Sequence, residues 1–213
     1  MTKTVVLAVR EYDFEMSFSG IPHPVFNPPP KDAKLWRYMD IPKYLNLLST
    51  ETIWFPRSDQ LGDAFEGSTT VKTKEDFGST MRTAFLEDDK KDLEDRLIKQ
   101  DKTGLVDKMI KTETDLLIYN LFHTYINSWH LNEYESAAMW QLYRRDYGIA
   151  VIATMKRMDE NLHWQKEIFI GKVRYIDYQK ETIPGNNFLW PFMHKRKSFE
   201  HEKEVRLLFF TWL

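Results

Sequence analysis

The spacing of apolar and polar positions along the chain predicts short strands and helices in mixed order. Residues 34–39 (KLWRYM) fit a strand, and residues 40–50 fit a short helix whose first N–H groups Asp40 would cap. Further strands are predicted at 52–56, 122–130, 148–154, 167–178 and 199–210, of which 148–154 is expected to be buried. Helices are predicted at 74–119 with a break near 101–104, at 133–147, at 155–164, and at 188–200 with an early interruption at Pro191. Because strands and helices do not alternate regularly, we expect an α+β fold with a mixed, mostly antiparallel sheet and flanking helices.

One segment, IPHPVFNPPP at residues 21–30, interrupts this pattern. Five of its ten residues are proline, which has no backbone N–H and is excluded from helix interiors and central strands. We therefore expect two parts. Residues 1–30 would form an N-terminal strand annex with a proline-rich linker, and residues 31–213 the main α+β domain.

Composition narrows the function only a little. The chain has 213 residues, of which 42% are hydrophobic and 29% charged, as is common in globular proteins. A net charge of −2 gives no electrostatic reason to expect nucleic acid or an anionic membrane as a partner. The chain has no cysteine, which excludes disulfides and a cysteine nucleophile and fits a cytoplasmic location. The usual phosphate-loop, dinucleotide, zinc-protease and serine-hydrolase motifs are absent.

The final predicted strand, FEHEKEVRLLFF, carries the most informative charges. Glu202, Glu204 and Arg206 fall at spacing two, so on a strand they share one face. The apolar run that follows predicts a covered strand, in which carboxylates need a cation or a ligand as partner. We expect this face to border a functional site, with Glu204 as its main residue.

A second candidate is Arg37, which lies between Trp36 and Tyr38 on the first predicted strand. A buried arginine without a partner costs several kcal/mol, on the order of 3–5. Its partner is therefore expected to be either a carboxylate of the protein or an anionic group of a ligand, and the sequence leaves both open.

Three weaker features accompany these. The loop GDAFEG holds Asp63 and Glu66, whose simplest interpretation is turn chemistry. The helical stripe in MWQLY predicts Trp140 in the core and Tyr143 at a cavity. The basic run HKRK at 194–197 is interpreted as charge at a helix C-terminus.

Three blocks resemble an uncharacterised bacterial family described as a domain of unknown function. They are LWRYMDIPKYLNLLSTETIWFPRSDQLGDAFEG (35–67), SWHLNEYESAAMWQLYRRDYGIAVI (128–152) and FEHEKEVRLL (199–208). The family pattern has an N-D-P-x-E-G loop, an M-W-x-x-Y helix and a closing E-x-E-x-R strand. Gly62 and Ala64 stand where the family has Asn and Pro. This resemblance implies no activity.

The order of an aromatic-Arg strand, a Ser-bearing strand and a late E-x-E strand is more weakly similar to the ADP-ribosyltransferase superfamily. The resemblance implies NAD as co-substrate, with Arg37 and the neighbouring Tyr38 holding the dinucleotide. It implies Ser128 at the Ser-strand position, Tyr143 stacked on nicotinamide, and Glu204 as the catalytic carboxylate with Glu202 ahead of it. The expected activity is then ADP-ribosyl transfer or NAD glycohydrolysis, with an unknown macromolecule as acceptor.

Two other functions remain open from the residues. Asp63, Glu66, Glu202 and Glu204 could hold a divalent cation for a nuclease or hydrolase. Alternatively, the charges could form a buried ion network in a ligand-sensing or interaction module without turnover. The relative positions of Arg37, Glu204 and the GDAFEG loop should separate these hypotheses.

Overall fold

The computed structural model describes residues 26–77, 102–143, 147–162, 168–185 and 187–211. The strands found there are β1 (Lys34–Asp40), β2 (Thr124–Leu131), β3 (Gly148–Thr154), β4 (Ile168–Lys172), β5 (Arg174–Ile176), β6 (His194–Arg196) and β7 (Glu204–Phe210). The α-helices are α1 (Ile41–Thr50), α2 (Lys102–His123), α3 (Ala137–Tyr143) and α4 (Met155–Leu162), and residues 71–77 are also helical. Short 3₁₀ turns cover Ser58–Gln60, Trp190–Met193 and Lys197–Glu202. Among the described helices, none is long and apolar enough to cross a membrane.

The main sheet has the strand order β3-β1-β2-β7-β4, and each neighbouring pair is antiparallel. Strands β5 and β6 form a small parallel sheet beside it. The predicted α+β fold with a mostly antiparallel sheet is therefore confirmed.

The main sheet is interrupted between β1 and β2. All seven residues of β1 pair with β3, but only residues 35–36 pair with β2. Further along β2, the N–H of Ile126 donates to the carbonyl of Pro56 at 2.9 Å. Between these two contacts, residues 127–129 of β2 have no strand partner on this edge within the described part of the chain. We call residues 127–129 the gap.

Two apolar clusters cover the two faces of the sheet, and β7 contributes to both. Val205 and Leu207 lie in the cluster with Leu35 and Trp129, while Leu208 and Phe210 lie in the other. Since side chains alternate along a strand, Glu204 and Arg206 share the face of Leu208. A charged pair is therefore held on a strand whose other residues are almost all buried.

The proline-rich segment is attached to the sheet at its end. Phe26 is buried and packs edge-on against Phe169 of β4. A Cβ on Gly171 would lie 2.1 Å from the Phe26 carbonyl oxygen, so only glycine allows this approach. Residues 1–25, with the predicted annex strand, lie outside the described residues, and the domain boundary at residue 30 stays a prediction.

The predicted strand at 167–178 is wrong as a single element. The chain leaves the main sheet after Lys172, and Val173 donates its N–H to the carbonyl of Glu204 at 2.9 Å before β5 begins in the second sheet. Its alternation is continuous, so periodicity alone gives no sign of this change of sheet.

The predicted helix at 188–200 is also wrong. Proline at 191 removes a helical N–H, and the chain forms two 3₁₀ turns separated by β6 instead. The basic run therefore starts on a strand and not at a helix C-terminus.

Four smaller differences concern the ends and positions of elements. The segment at 52–56 is irregular and not a strand, and α3 begins at residue 137 instead of 133. The apolar strand β3, predicted to be buried, is an edge strand whose residues are mostly half-buried. The predicted helix at 74–119 is helical at residues 71–77 and from 102 onward, so the predicted break is not found at residues 102–104. Residues 78–101 lie outside the described part.

Candidate functional site

A cleft of about 1390 Å³ opens at the gap. It is larger than the roughly 300–1,000 Å³ typical of small-molecule sites. Its walls come from β1, α1, the irregular segment 52–56, the GDAFEG loop, α3, β3 and the start of β7. The predicted site residues that line it are Arg37, Tyr38, Asp63, Glu66, Ser128, Tyr143, Glu202 and Glu204.

Arg37 projects from β1 into the gap. Its Nη1 donates to the carbonyl of Ser128 at 3.1 Å and to the side-chain oxygen of Asn127. Among the described residues, no carboxylate lies within ion-pair distance of Arg37, and its Nε and Nη2 have no hydrogen-bond acceptor. Burial lowers the pKa of Arg37 to about 10, which still leaves it charged at neutral pH. Of the two partners that the sequence left open, a protein carboxylate is thus not found among the described residues.

Glu204 contacts Ser128 as well, through the side chain of Ser128 and not through its carbonyl. The Oγ of Ser128 donates to Glu204 Oε2 at 3.1 Å, while Arg206 Nε donates to the same oxygen at 2.5 Å. Lys195 Nζ donates to the other oxygen at 2.7 Å. Burial alone would raise the pKa of Glu204, but Arg206 and Lys195 outweigh it and hold that pKa well below its usual range. Glu204 is therefore ionised at every physiological pH.

Glu202 does not share the strand face with Glu204, so that prediction is wrong. It belongs to the 3₁₀ turn, and Lys203 adopts a left-handed conformation (φ 40°) that breaks the alternation before β7 begins. Glu202 still reaches the site, because Lys195 Nζ donates to its Oε2 at 2.5 Å. Burial and a hydrogen bond with Glu204 raise the pKa of Glu202 to about 7. Glu202 is therefore the carboxyl group of this pair that binds a proton near neutral pH.

Arg206 joins this pair to the GDAFEG loop. Its Nη1 and Nη2 donate to the two oxygens of Glu66 at 2.6 and 2.8 Å, and Nη1 also donates to the carbonyl of Phe192 at 2.6 Å. Both side chains are almost completely buried. Glu66, Arg206, Glu204, Lys195 and Glu202 form one continuous chain of ion pairs, which we call the ion cluster.

The GDAFEG loop has the local turn that the sequence predicts. The N–H of Phe65 donates to the side chain of Asp63 at 3.0 Å. Asp63 also accepts from Arg196 at 2.9 Å, so its role is not local alone. Gly67 has φ +67°, and a Cβ there would lie 2.5 Å from the ring of Phe192. The loop can close over the buried ion cluster because this position is glycine.

The four carboxylates of the metal hypothesis do line one cleft, but each is bound to a cation of the protein. Glu66 binds Arg206, Asp63 binds Arg196, and Lys195 lies between the other two. No group of three or more metal-ligating side chains is found in the described ranges. The geometry therefore does not favour the divalent-metal hydrolase.

The aromatic side chains divide between support and cleft. The hydroxyl of Tyr38 accepts from the N–H of Ser136 at 2.8 Å, and this bond holds the start of α3 against β1. Tyr143 is 44% exposed and lines the cleft, where partial burial followed by the charges of Glu202 and Glu204 raises its pKa. Trp140, predicted in the core, is only half-buried and its indole donates to Glu135, while Met139 takes the buried position.

Sequence reasoning missed Lys195 and Asn127. Lys195 was grouped with the basic run, although its side chain is only 8% exposed and binds both glutamates. The signal that could have found it is the count of charges, since three buried carboxylates need more than Arg206 to balance them. Asn127 is fully buried and had no distinguishing signal in the sequence.

Comparison of the chain with protein-family models, with curated proteins and with solved structures found no match.

Proposed function

We propose that the chain binds NAD in the cleft and cleaves its bond between nicotinamide and ribose, as an ADP-ribosyltransferase or an NAD glycohydrolase. One observation carries this proposal. Arg37 and Glu204 meet on Ser128, the first through its carbonyl and the second through its hydroxyl. A guanidinium without a carboxylate partner among the described residues and a fixed carboxylate thus contact the same residue, and a guanidinium is well suited to bind a phosphate.

The charges of the site suit this cleavage. Breaking the bond to nicotinamide develops positive charge on the ribose, and an ionised carboxylate that is already oriented stabilises it. Glu204 remains ionised because Arg206 and Lys195 hold its pKa low. Arg206 and Ser128 fix the direction of its Oε2, so little reorganisation is needed.

Glu202 would serve as the group that moves a proton. With a pKa raised to about 7, it can accept a proton from an attacking hydroxyl at neutral pH and release it afterwards. Pairs of acids whose environments separate their pKa values are a recurring mark of acid–base sites. The resemblance to the E-x-E strand of ADP-ribosyltransferases supports Glu204 as the catalytic carboxylate, with Glu202 ahead of it.

A second function is favoured by one specific observation. Both oxygens of Glu204 are already bound by protein donors, so the carboxylate has few positions left for a substrate hydroxyl. An NAD-sensing module that binds the dinucleotide without turnover fits this arrangement. The same assay distinguishes the two functions.

The test incubates the full chain with NAD and follows nicotinamide release by liquid chromatography, with and without candidate protein acceptors. We expect release by the wild type and a loss of at least 100-fold in Glu204→Gln, in line with removal of one electrostatic stabiliser. Glu133→Gln is the matched control, since it makes the same chemical change on the surface, where Glu133 pairs with Lys34. Binding of NAD without release would establish the sensing function, and absence of both would reject the proposal.

A further inference from the structure

Trp54 is a large apolar side chain that is mostly exposed. Its side chain is 70% exposed and lines the cleft, on the irregular segment that follows α1. Its indole makes no hydrogen bond or ring contact with another described residue. A single exposed aromatic ring is common on protein surfaces and would carry no inference by itself.

Asn127 connects Trp54 to Arg37. The Oδ1 of this buried asparagine accepts from Arg37 Nη1 and from the indole of Trp129, the latter at 2.7 Å. Its Nδ2 donates to the backbone carbonyl of Trp54 at 2.8 Å. One carboxamide therefore fixes both the guanidinium and the backbone that carries the exposed indole. At the gap, where the described residues provide no strand to pair with this edge of β2, the side chain of Asn127 supplies hydrogen bonds to the neighbouring segments instead.

We infer that Trp54 and Arg37 form a nucleotide subsite, in which a planar base stacks on the indole and a phosphate binds the open edge of the guanidinium. A guanidinium presents paired N–H groups that match phosphate oxygens, and an indole face accepts any flat base. This inference rests on the proposed function and assigns the adenylate half of NAD to this end of the cleft. The nicotinamide half would then lie toward Tyr143 and Glu204.

The balance of charges in the cleft favours a small ligand over a polyanion. Five cationic and five acidic side chains line it, namely Arg37, Lys43, Arg157, Lys195 and Arg206 against Asp63, Glu66, Glu160, Glu202 and Glu204. A nucleic-acid track would need a clear excess of cations. Within the ion cluster the cations are used by the carboxylates, which leaves Arg37 as the group best placed for a phosphate.

The test measures binding of three fragments to the full chain by isothermal titration calorimetry. AMP has both base and phosphate, adenosine lacks the phosphate, and ribose 5-phosphate lacks the base. We expect Trp54→Ala to weaken AMP and adenosine by about 5- to 150-fold, the range of one base stacked on an aromatic ring, and to leave ribose 5-phosphate unchanged. Arg37→Gln should weaken AMP and ribose 5-phosphate and leave adenosine unchanged.

Two controls keep this result interpretable. Trp54→Phe retains a ring and should restore most of the AMP affinity, whereas Tyr134→Ala removes an equally exposed ring outside the cleft and should change nothing. Equal losses for all three fragments in Trp54→Ala would overturn the subsite, as would unchanged AMP affinity. Cleavage of NAD with unaltered KM in Trp54→Ala would overturn the subsite but leave the proposed function intact. AMP binding that depends on Trp54, without any NAD cleavage, would support the subsite and contradict the proposed cleavage of NAD.

Discussion

Buried charges are paired differently in the two regions that meet at Ser128, the ion cluster near β7 and Arg37 on β1. On the β7 side, the ion cluster binds each of its charges to an opposite charge within 2.5 to 2.8 Å. On the β1 side, Arg37 donates to two neutral oxygens and lies 5.8 Å from the centre of the Trp129 ring, and no carboxylate pairs with it in the described structure. The ion cluster is complete without a ligand, and Arg37 is not. The carboxylates near β7 are therefore held in place by the protein's own cations. Arg37 on β1 is the group to which we assign an anion of the ligand.

The carboxylates of the ion cluster outnumber its cations by one. Its three carboxylates face two cations, so one negative charge is left over when all five groups are ionised. Glu202, at the end of the chain of pairs, takes the proton because Glu204 lies beside it and Lys195 is the one cation that binds it among the described residues. The net charge of the ion cluster therefore changes with pH near neutrality.

The largest expected effect comes from removing the central cation. Arg206→Met leaves Glu66 and Glu204 buried without their main partner, which typically costs about 3–5 kcal/mol of unfolding free energy. Urea unfolding at pH 7 should show this loss. The matched control Arg57→Met breaks a pair at the surface, with Asp59, and should change stability far less. Similar losses of unfolding free energy in the two variants would mean that the protein does not depend on Arg206 to balance the buried charges of Glu66 and Glu204.

Lys195→Met should have the next largest effect, and it should depend on pH. The variant leaves two neighbouring carboxylates against Arg206 alone, so at pH 8 we expect a loss near the lower end of the roughly 3–5 kcal/mol that a broken buried pair costs. At pH 5 the loss should be smaller, because protonation of Glu202 relieves the repulsion. Urea titrations at the two pH values, with Lys34→Met as the surface control, measure the difference. A loss of unfolding free energy that is the same at both pH values would contradict the protonation of Glu202 between them.

The local elements could be predicted, because their causes are local. The cap at Asp40 is confirmed by its hydrogen bond with the N–H of Lys43, and the alternation along β7 correctly separates Glu204 and Arg206 from the residues that face the other way. Glu202 was misplaced by the same rule, since the left-handed Lys203 interrupts the alternation and nothing in its side chain requires that conformation.

The site could be predicted only in part, because its closing contacts join distant segments. The sequence showed that the carboxylates near the end of the chain need cations, and it identified Arg206. It could not show that Lys195 and Glu66 complete the ion cluster, since the helix predicted over the basic run hid Lys195. The gap was also invisible, because it depends on where β1 leaves β2 and not on the composition of either strand.

Glu202→Gln should sharpen the comparison through its effect on pH dependence. The folded pKa of Glu202 is raised to about 7, so its contribution to stability is complete below its unfolded pKa and is lost as pH rises through 7. Relative to wild type, the variant should therefore gain stability between pH 5 and pH 8, on the order of 1–2 kcal/mol. Burial lowers the pKa of His130 and of His194, which act in the opposite sense, so the measured quantity is the difference between variant and wild type. A constant difference across this range would contradict the assignment.

The smallest change in stability is expected at Arg37, and this prediction decides the comparison. Arg37→Met removes two hydrogen bonds to neutral oxygens but leaves no carboxylate unpaired, so the unfolding free energy should fall by about 1 kcal/mol or less. The loss of charge also removes a desolvation cost that the protein now bears, which is visible in the lowered pKa of Arg37. Urea unfolding of Arg37→Met beside Arg206→Met gives the contrast directly, since the two substitutions are chemically identical. If Arg37→Met is the more destabilising, Arg37 is a structural brace of the gap, and the anion that we assign to it would have to bind elsewhere.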